Sequence, residues 1–159
     1  MIRRFCTADA DRVADVVRTT LRVTNAQDYE ADFLEAFAQS VTAESILRRA
    51  EEGADFLVVC ADACVVGCGA AAPLKGGEAD EYELQTVFIL PDYQGGGRGR
   101  ELMAALEADA CSRGARRIEL SASITAEGFY RRLGYRCKNG ERVLNETLGY
   151  PMEKFVRQE

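Results

Sequence analysis

Apolar residues recur along the chain with two different periods, and the changes between those periods divide it into elements. Ile2 to Cys6 reads as a short strand. Thr7 stands where a helix cap belongs, and Ala10, Val13, Ala14, Val17 and Leu21 follow at helical spacing. Phe33, Leu34, Phe37 and Val41 mark a second helical region; Ile46, Leu47 and Ala50 mark a third, which Gly53 stops. Asp55 to Cys60 and Cys64 to Ala72 predict a hairpin turning at Ala61-Asp62-Ala63, with Pro73 and the Gly76-Gly77 pair closing it.

Tyr82 to Leu90 predicts the next strand. Strict alternation puts Leu84, Thr86, Phe88 and Leu90 on one face and Glu83, Gln85, Val87 and Ile89 on the other, and Pro91 ends the run. Glu101 to Cys111 is helix-patterned, burying Leu102, Met103, Leu106 and Ala110, with Gly114 just past its end. Ile118 to Ala122 reads as a strand, Thr125 to Leu133 as a short helix stopped by Gly134, and Tyr135 to Lys138 as a strand. A last strand spans about Leu148 to Val156, after a polar segment from Asn139 to Thr147. This order predicts an α/β chain with a mixed central sheet and helices on both faces. At 159 residues it suits one compact domain, residues 1–159, burying ~70% of its unfolded surface.

Between the Tyr82 strand and the Glu101 helix lies Gln94-Gly95-Gly96-Gly97-Arg98-Gly99-Arg100. A strand that ends in glycines and opens a helix leaves backbone N–H groups unpaired at the positive end of the helix dipole, a ready cradle for phosphate. Glycine lets the backbone approach a ligand closely and adopt positive φ, and Arg98 and Arg100 can add charge-assisted contacts. The run is not a P-loop, because no lysine followed by a hydroxyl residue stands in it. It is not the dinucleotide fingerprint either, since Arg100 or Leu102 falls where the third glycine belongs.

The run does fit Q-x-x-G-x-G, with Gln94, Gly97 and Gly99 at the fixed positions, and so resembles the acetyl-CoA signature of the GNAT superfamily of N-acyltransferases. A second block, Ala126-Glu127-Gly128-Phe129-Tyr130-Arg131-Arg132-Leu133-Gly134-Tyr135, is similar to that family's later A-x-x-F-Y-x-x-x-G-[FY] segment. The resemblance implies the GNAT fold, with the sheet splayed between the fourth and fifth strands. It implies acetyl-CoA as cosubstrate, its diphosphate on Gln94 to Arg100 and its pantetheine arm beside the main chain of Val87, Phe88 and Ile89. A backbone N–H near Val87 or Phe88 would then polarise the thioester carbonyl. Tyr130 matches the tyrosine that hydrogen-bonds the CoA sulfur and protonates the departing thiolate, and Ser123 stands where many members carry asparagine to contact the pantetheine. Arg131 and Arg132 are divided between the 3′-phosphate and simple solvation.

The implied activity is an acyltransferase moving an acetyl group, not an aminoacyl group, to a primary amine of a small molecule or a protein in a ternary complex. An alkylamine with a pKa of ~10 is protonated near neutrality, so a base must free it. Glu83 and Glu81 both lie at the start of the cofactor strand and share a face if the pleat extends back, and each matches the place of the base in some members. Tyr29, Phe33 and Tyr150 are candidate walls of an acceptor pocket. The competing readings are a binding module that holds acyl-CoA as a sensor or scaffold, and an unrelated phosphate-binding α/β domain.

Composition narrows the chemistry. Histidine is absent, which removes imidazole-based triads and histidine metal sites. A formal charge of −6 argues against nucleic acid as a partner and suits a cationic amine. No apolar run approaches a membrane span and Met1-Ile2-Arg3-Arg4 is not followed by a signal-peptide core, so a cytoplasmic protein with no membrane partner is expected. The six cysteines are then expected to be reduced, with Cys60, Cys64 and Cys68 acting as small apolar core residues and no metal bound. A homodimer stays open.

Overall fold

The computed structural model describes residues 1–156. One sheet takes the strand order β1-β2-β3-β4-β5-β7-β6, from β1 (Ile2–Arg4), β2 (Asp55–Ala61), β3 (Cys64–Pro73), β4 (Glu81–Ile89), β5 (Arg117–Ser123), β6 (Arg136–Cys137) and β7 (Gly149–Phe155). Neighbours are antiparallel except β4 and β5, which run parallel. On one face, α4 (Arg98–Ser112) and α5 (Glu127–Arg132) bury Leu102, Met103, Leu106 and Tyr130 against Val59, Leu84, Ile118 and Met152. On the other, α1 (Ala10–Val23), α2 (Ala31–Ser40) and α3 (Ala43–Glu51) bury Val13, Val17, Leu34 and Ile46 against Phe56, Val58 and Ala70. The α/β architecture expected from the periodicities is the one formed.

Local chemistry differs from the pattern at three places. Thr7 does not cap α1; it opens a 3-10 turn, Thr7–Asp9. Asp9 holds that turn, accepting from the Cys6 N–H at 2.9 Å and from both terminal nitrogens of Arg3 at 2.8 and 2.9 Å, and Arg3 holds its carboxyl down to about 2. The hairpin between β2 and β3 turns on two residues, Asp62 (φ 49°) and Ala63 (φ 63°), the left-handed pair that matches strand twist. Of the clustered cysteines only Cys68 is buried, its thiol pushed up to about 12 by burial, while Cys64 is exposed at the hairpin; all six are free thiols.

The third departure matters most. Opposite β3, the β4 ladder shifts register between Cys68 and Ala70, and Thr86 sits in the bulge at φ 55°. Positive φ in a β-branched residue is a strained conformation held by its surroundings. The extra residue reverses the pleat beyond it. Val87 and Ile89 therefore join Leu84 on the α4 face, while Phe88 joins the α1–α3 side, where Gln85 meets Arg49. The strict alternation expected for Leu84 to Leu90 is corrected at this point.

β4 and β5 pair only at Glu81 with Arg117, Tyr82 with Ile118, and Glu83 with Glu119. Beyond Glu83 the β5-facing edge of β4 has no strand against it among the described residues, so the sheet parts where the resemblance places a splay. Among the described residues no helix is long and apolar enough to cross a membrane.

α5 is short and is tied down by charge. Arg142 donates to both Glu127 oxygens at 2.7 and 2.8 Å, and Arg131 donates to one of them at 2.8 Å. Led by Arg142, these contacts hold the Glu127 carboxyl down to about 2. A depressed carboxyl stabilises the fold fully above its unfolded value of about 4.3 and loses that contribution as pH falls toward the folded value. Glu127→Gln should therefore cost about 1–2 kcal/mol near pH ~7, allowing for screening of the half-exposed arginines. Denaturant titrations of both proteins should show the gap narrowing by about pH 3; an unchanged gap would contradict the ion-pair account.

Candidate active site

The glycine run forms a loop that ends in the first turn of α4. Gly95 (φ 79°) and Gly97 (φ 86°) take left-handed conformations, and Gly97 is the N-cap. A Cβ at either would meet nothing within 4 Å, so the loop faces open space. The first backbone hydrogen bond of α4 is from the Glu101 N–H to the Gly97 carbonyl at 3.0 Å. Among the described residues, the N–H groups of Gly95, Gly96, Gly97, Arg98, Gly99 and Arg100 have no backbone acceptor, which is the free-donor cradle read from the sequence.

The fixed residues of the motif have unequal jobs. Gln94 does not face the loop opening: its Nε2 donates to the Ile89 carbonyl at 2.8 Å and to Thr24 Oγ1 at 3.0 Å, fastening the end of β4 to the end of α1. Thr20 Oγ1 also donates to the Ile89 carbonyl, at 3.3 Å, so that acceptor is already engaged. A Cβ at Gly99 would lie 3.2 Å from the Phe129 ring; glycine there lets α4 approach α5. Arg98 lies over the Tyr93 ring, its Cζ 5.4 Å from the centroid, and Arg100 is exposed.

A cleft of about 550 Å³ runs between the parted strands. Val87 and Phe88 of β4, Ser123 of β5, Tyr130 of α5 and the helical layer line it. Ser123 Oγ accepts from the Ala126 N–H at 3.1 Å. Tyr130 is 7% exposed, packs edge-on against Phe129 and Tyr135, and its hydroxyl has no hydrogen-bond partner among the described residues. Burial raises its ionisation above the usual tyrosine range, so it stays protonated.

The two carboxylates separate. Glu83 lines the cleft, and its Oε1 accepts from Gln85 Nε2. Glu81 does not line it: its oxygens accept from Arg117 at 3.1 Å and from the Glu78 N–H at 3.1 Å. The aromatic candidates separate too. Tyr29 and Phe33 stack at 5.4 Å along the cleft wall, whereas Tyr150 is buried behind Gly149 with Arg142 4.5 Å over its ring. The Tyr29 hydroxyl donates to the Leu148 carbonyl at 2.7 Å and accepts from the Ile124 N–H at 2.8 Å, tying the segment between α1 and α2 to the β5–β7 side of the cleft.

Sequence reading missed Arg49 and Asn25. Arg49 of α3 lines the cleft, donating to Thr86 Oγ1 at 2.5 Å and to Gln85 Oε1. It looks like an ordinary helix-end arginine, and only the fold aims it at β4. Asn25, 6% exposed, also lines the cleft, and its carboxamide has no partner among the described residues.

The chain matches the acetyltransferase (GNAT) domain family over residues 25–156. The PaiA N-acetyltransferase of Thermoplasma acidophilum, solved with coenzyme A, superposes with a TM-score of 0.83 at 20% identity, covering 98% of each chain. A GNAT acetyltransferase of Brucella melitensis, solved with acetyl-CoA, gives 0.63 at 29% identity over 86% of this chain and 82% of its own. An amino-acid acetyltransferase of Ectopseudomonas mendocina is 33% identical over 88 residues, 55% of this chain, and the chain spans only 20% of that relative's length. With the domain match extending from the end of α1 through β7, across both glycine-bearing motifs and the parted strands, the chain belongs to the GNAT acetyltransferase family.

Proposed function

We propose that this chain transfers the acetyl group of acetyl-CoA to a primary amine, on a small molecule or a protein, by direct attack in a ternary complex. The observation that carries this reading is the row of unpaired N–H groups at the start of α4, which packs through Gly99 on Phe129, the neighbour of Tyr130 in a cleft that Glu83 also lines. The solved relatives bind coenzyme A or acetyl-CoA, and the open space before Gly95 and Gly97 suits a diphosphate. The parted edge of β4 at Val87 and Phe88 offers main-chain partners to the pantetheine amides. Ser123 flanks the same arm from β5.

The thioester supplies an activated acetyl group, and the chain's residues manage the proton. Glu83, directly or through water, removes a proton from the amine, since protonated nitrogen has no lone pair for attack. Glu81, held by Arg117, is the weaker candidate. Tyr130 faces the departing sulfur. A thiol's pKa near ~8.5 makes thiolate a weaker base than the raised tyrosinate, so Tyr130 acts by presenting a hydrogen bond more than by giving up its proton outright. No cysteine lines the cleft, which favours direct transfer over an acyl-enzyme.

The decisive experiment is to incubate the protein with acetyl-CoA and an amine panel while following free thiol above the protein's own cysteines. Release dependent on amine supports transfer; tight acetyl-CoA binding without turnover would leave a binding module. Gly97→Val should weaken coenzyme A binding on the order of 10-fold or more, by strain at positive φ and intrusion on the anion, and calorimetry measures it. Glu83→Gln should lower kcat by ~10²–10⁴ and Tyr130→Phe by a smaller factor, with acetyl-CoA affinity nearly unchanged in both. Unaltered turnover would remove the substituted residue from the mechanism.

A further inference from the structure

Arg49 is the unusual charge in this molecule. Its guanidinium lines the cleft, half-buried, and lies 5.7 Å from the Phe56 ring centroid. Among the described residues it forms no ion pair, while the other partly buried arginines Arg113 and Arg117 each have a carboxylate. Its acceptors are two neutral oxygens, Thr86 Oγ1 and Gln85 Oε1, so several of the five guanidinium donors remain unmatched. Burial weakens its hold on its proton despite the attraction of Glu83 and Glu52, neither of which reaches it as an ion pair, and is costly for a cation.

Its placement says what would complete it. Gln85 receives the Arg49 hydrogen bond on its carbonyl oxygen and passes one from its amide nitrogen to Glu83. A half-buried cation and the proposed base therefore stand one carboxamide apart in the same cleft. A ligand complementary to both carries an amine and, a few bonds away, a carboxylate. Arg48, also cleft-lining but exposed, adds positive potential at the rim, and the unpartnered carboxamide of the buried Asn25 faces the same space.

We infer that the acceptor is a small amino acid, its carboxylate paired with Arg49 while its amine meets Glu83. This rests on the acetyl-transfer reading above and names the acceptor class for it. A zwitterion answers both charges of the cleft, whereas a simple alkylamine or a lysine side chain of a protein leaves Arg49 with no carboxylate in direct contact. The overall charge of −6 does not oppose it, because two of the three charged residues that line the cleft, Arg48 and Arg49, are cations.

The test compares L-alanine, L-leucine and L-methionine with their carboxamides and decarboxylated amines, at equal concentrations of neutral amine, in the intact protein. We expect kcat/KM to favour the carboxylate-bearing acceptors by on the order of 10- to 100-fold, expressed chiefly in KM. In Arg49→Gln that ratio should collapse toward one, and Arg49→Lys should restore part of it. Equal turnover of acids, amides and amines by the unsubstituted protein overturns the inference while leaving acetyl transfer standing, and that comparison decides even if Arg49→Gln fails to fold. A preference that survives both substitutions overturns the assignment to Arg49. Absence of coenzyme A binding takes down the transfer reading and this one together.

Discussion

The site depends on a single strand leaving its neighbour. β4 keeps β3 on one side along its length but holds β5 only as far as Glu83, after which its edge is free. An unpaired strand edge inside a sheet is costly unless something satisfies it, because each main-chain donor and acceptor removed from water needs a partner. Here that opening is also the cleft. The Thr86 bulge belongs to the same device: it reverses the pleat, so that Val87 and Ile89 stay anchored in the α4 core while Phe88 turns toward the helical layer that carries Arg49.

What keeps the opening from collapsing is a set of ties between elements distant in sequence. Gln94 joins the end of β4 to Thr24 at the end of α1. Gly99 and Phe129 bring the two sequence motifs into direct contact, so that the glycine loop and the helix bearing Tyr130 pack against each other. Tyr29 ties the segment between α1 and α2 to the ends of β5 and β7 by bonding both Ile124 and Leu148. Arg49 braces the bulge through Thr86 and Gln85, giving one residue both a structural contact and a half-buried charge in the cleft.

These ties explain why the glycines differ in kind. Gly95 and Gly97 are there for backbone shape, with φ values that a side chain resists, and their Cβ positions are open. Gly99 has an ordinary helical backbone and is there for closeness, since a side chain would press on Phe129. A motif written as a row of identical letters thus contains two separate physical demands.

Read alone, the sequence determined what depends on nearest neighbours and short periods: helices from spacing, strands from alternation, and a helix-start cradle from glycines between them. The motifs at Gln94 and Ala126 carried the family because their backbone demands are local. The tertiary structure decided everything that depends on direction across the fold. The bulge at Thr86 is invisible to a period-two count, because a register shift is set by how β3 and β4 align. Glu81 and Glu83 look equivalent two residues apart, yet Arg117 of β5 engages one and the cleft receives the other. Tyr150 is aromatic in the right segment, but the turn at Leu148 and the close approach at Gly149 send it into the core. Arg49 acquires its meaning only when α3 is laid across β4, since a charge becomes informative once burial removes the water that would otherwise answer it.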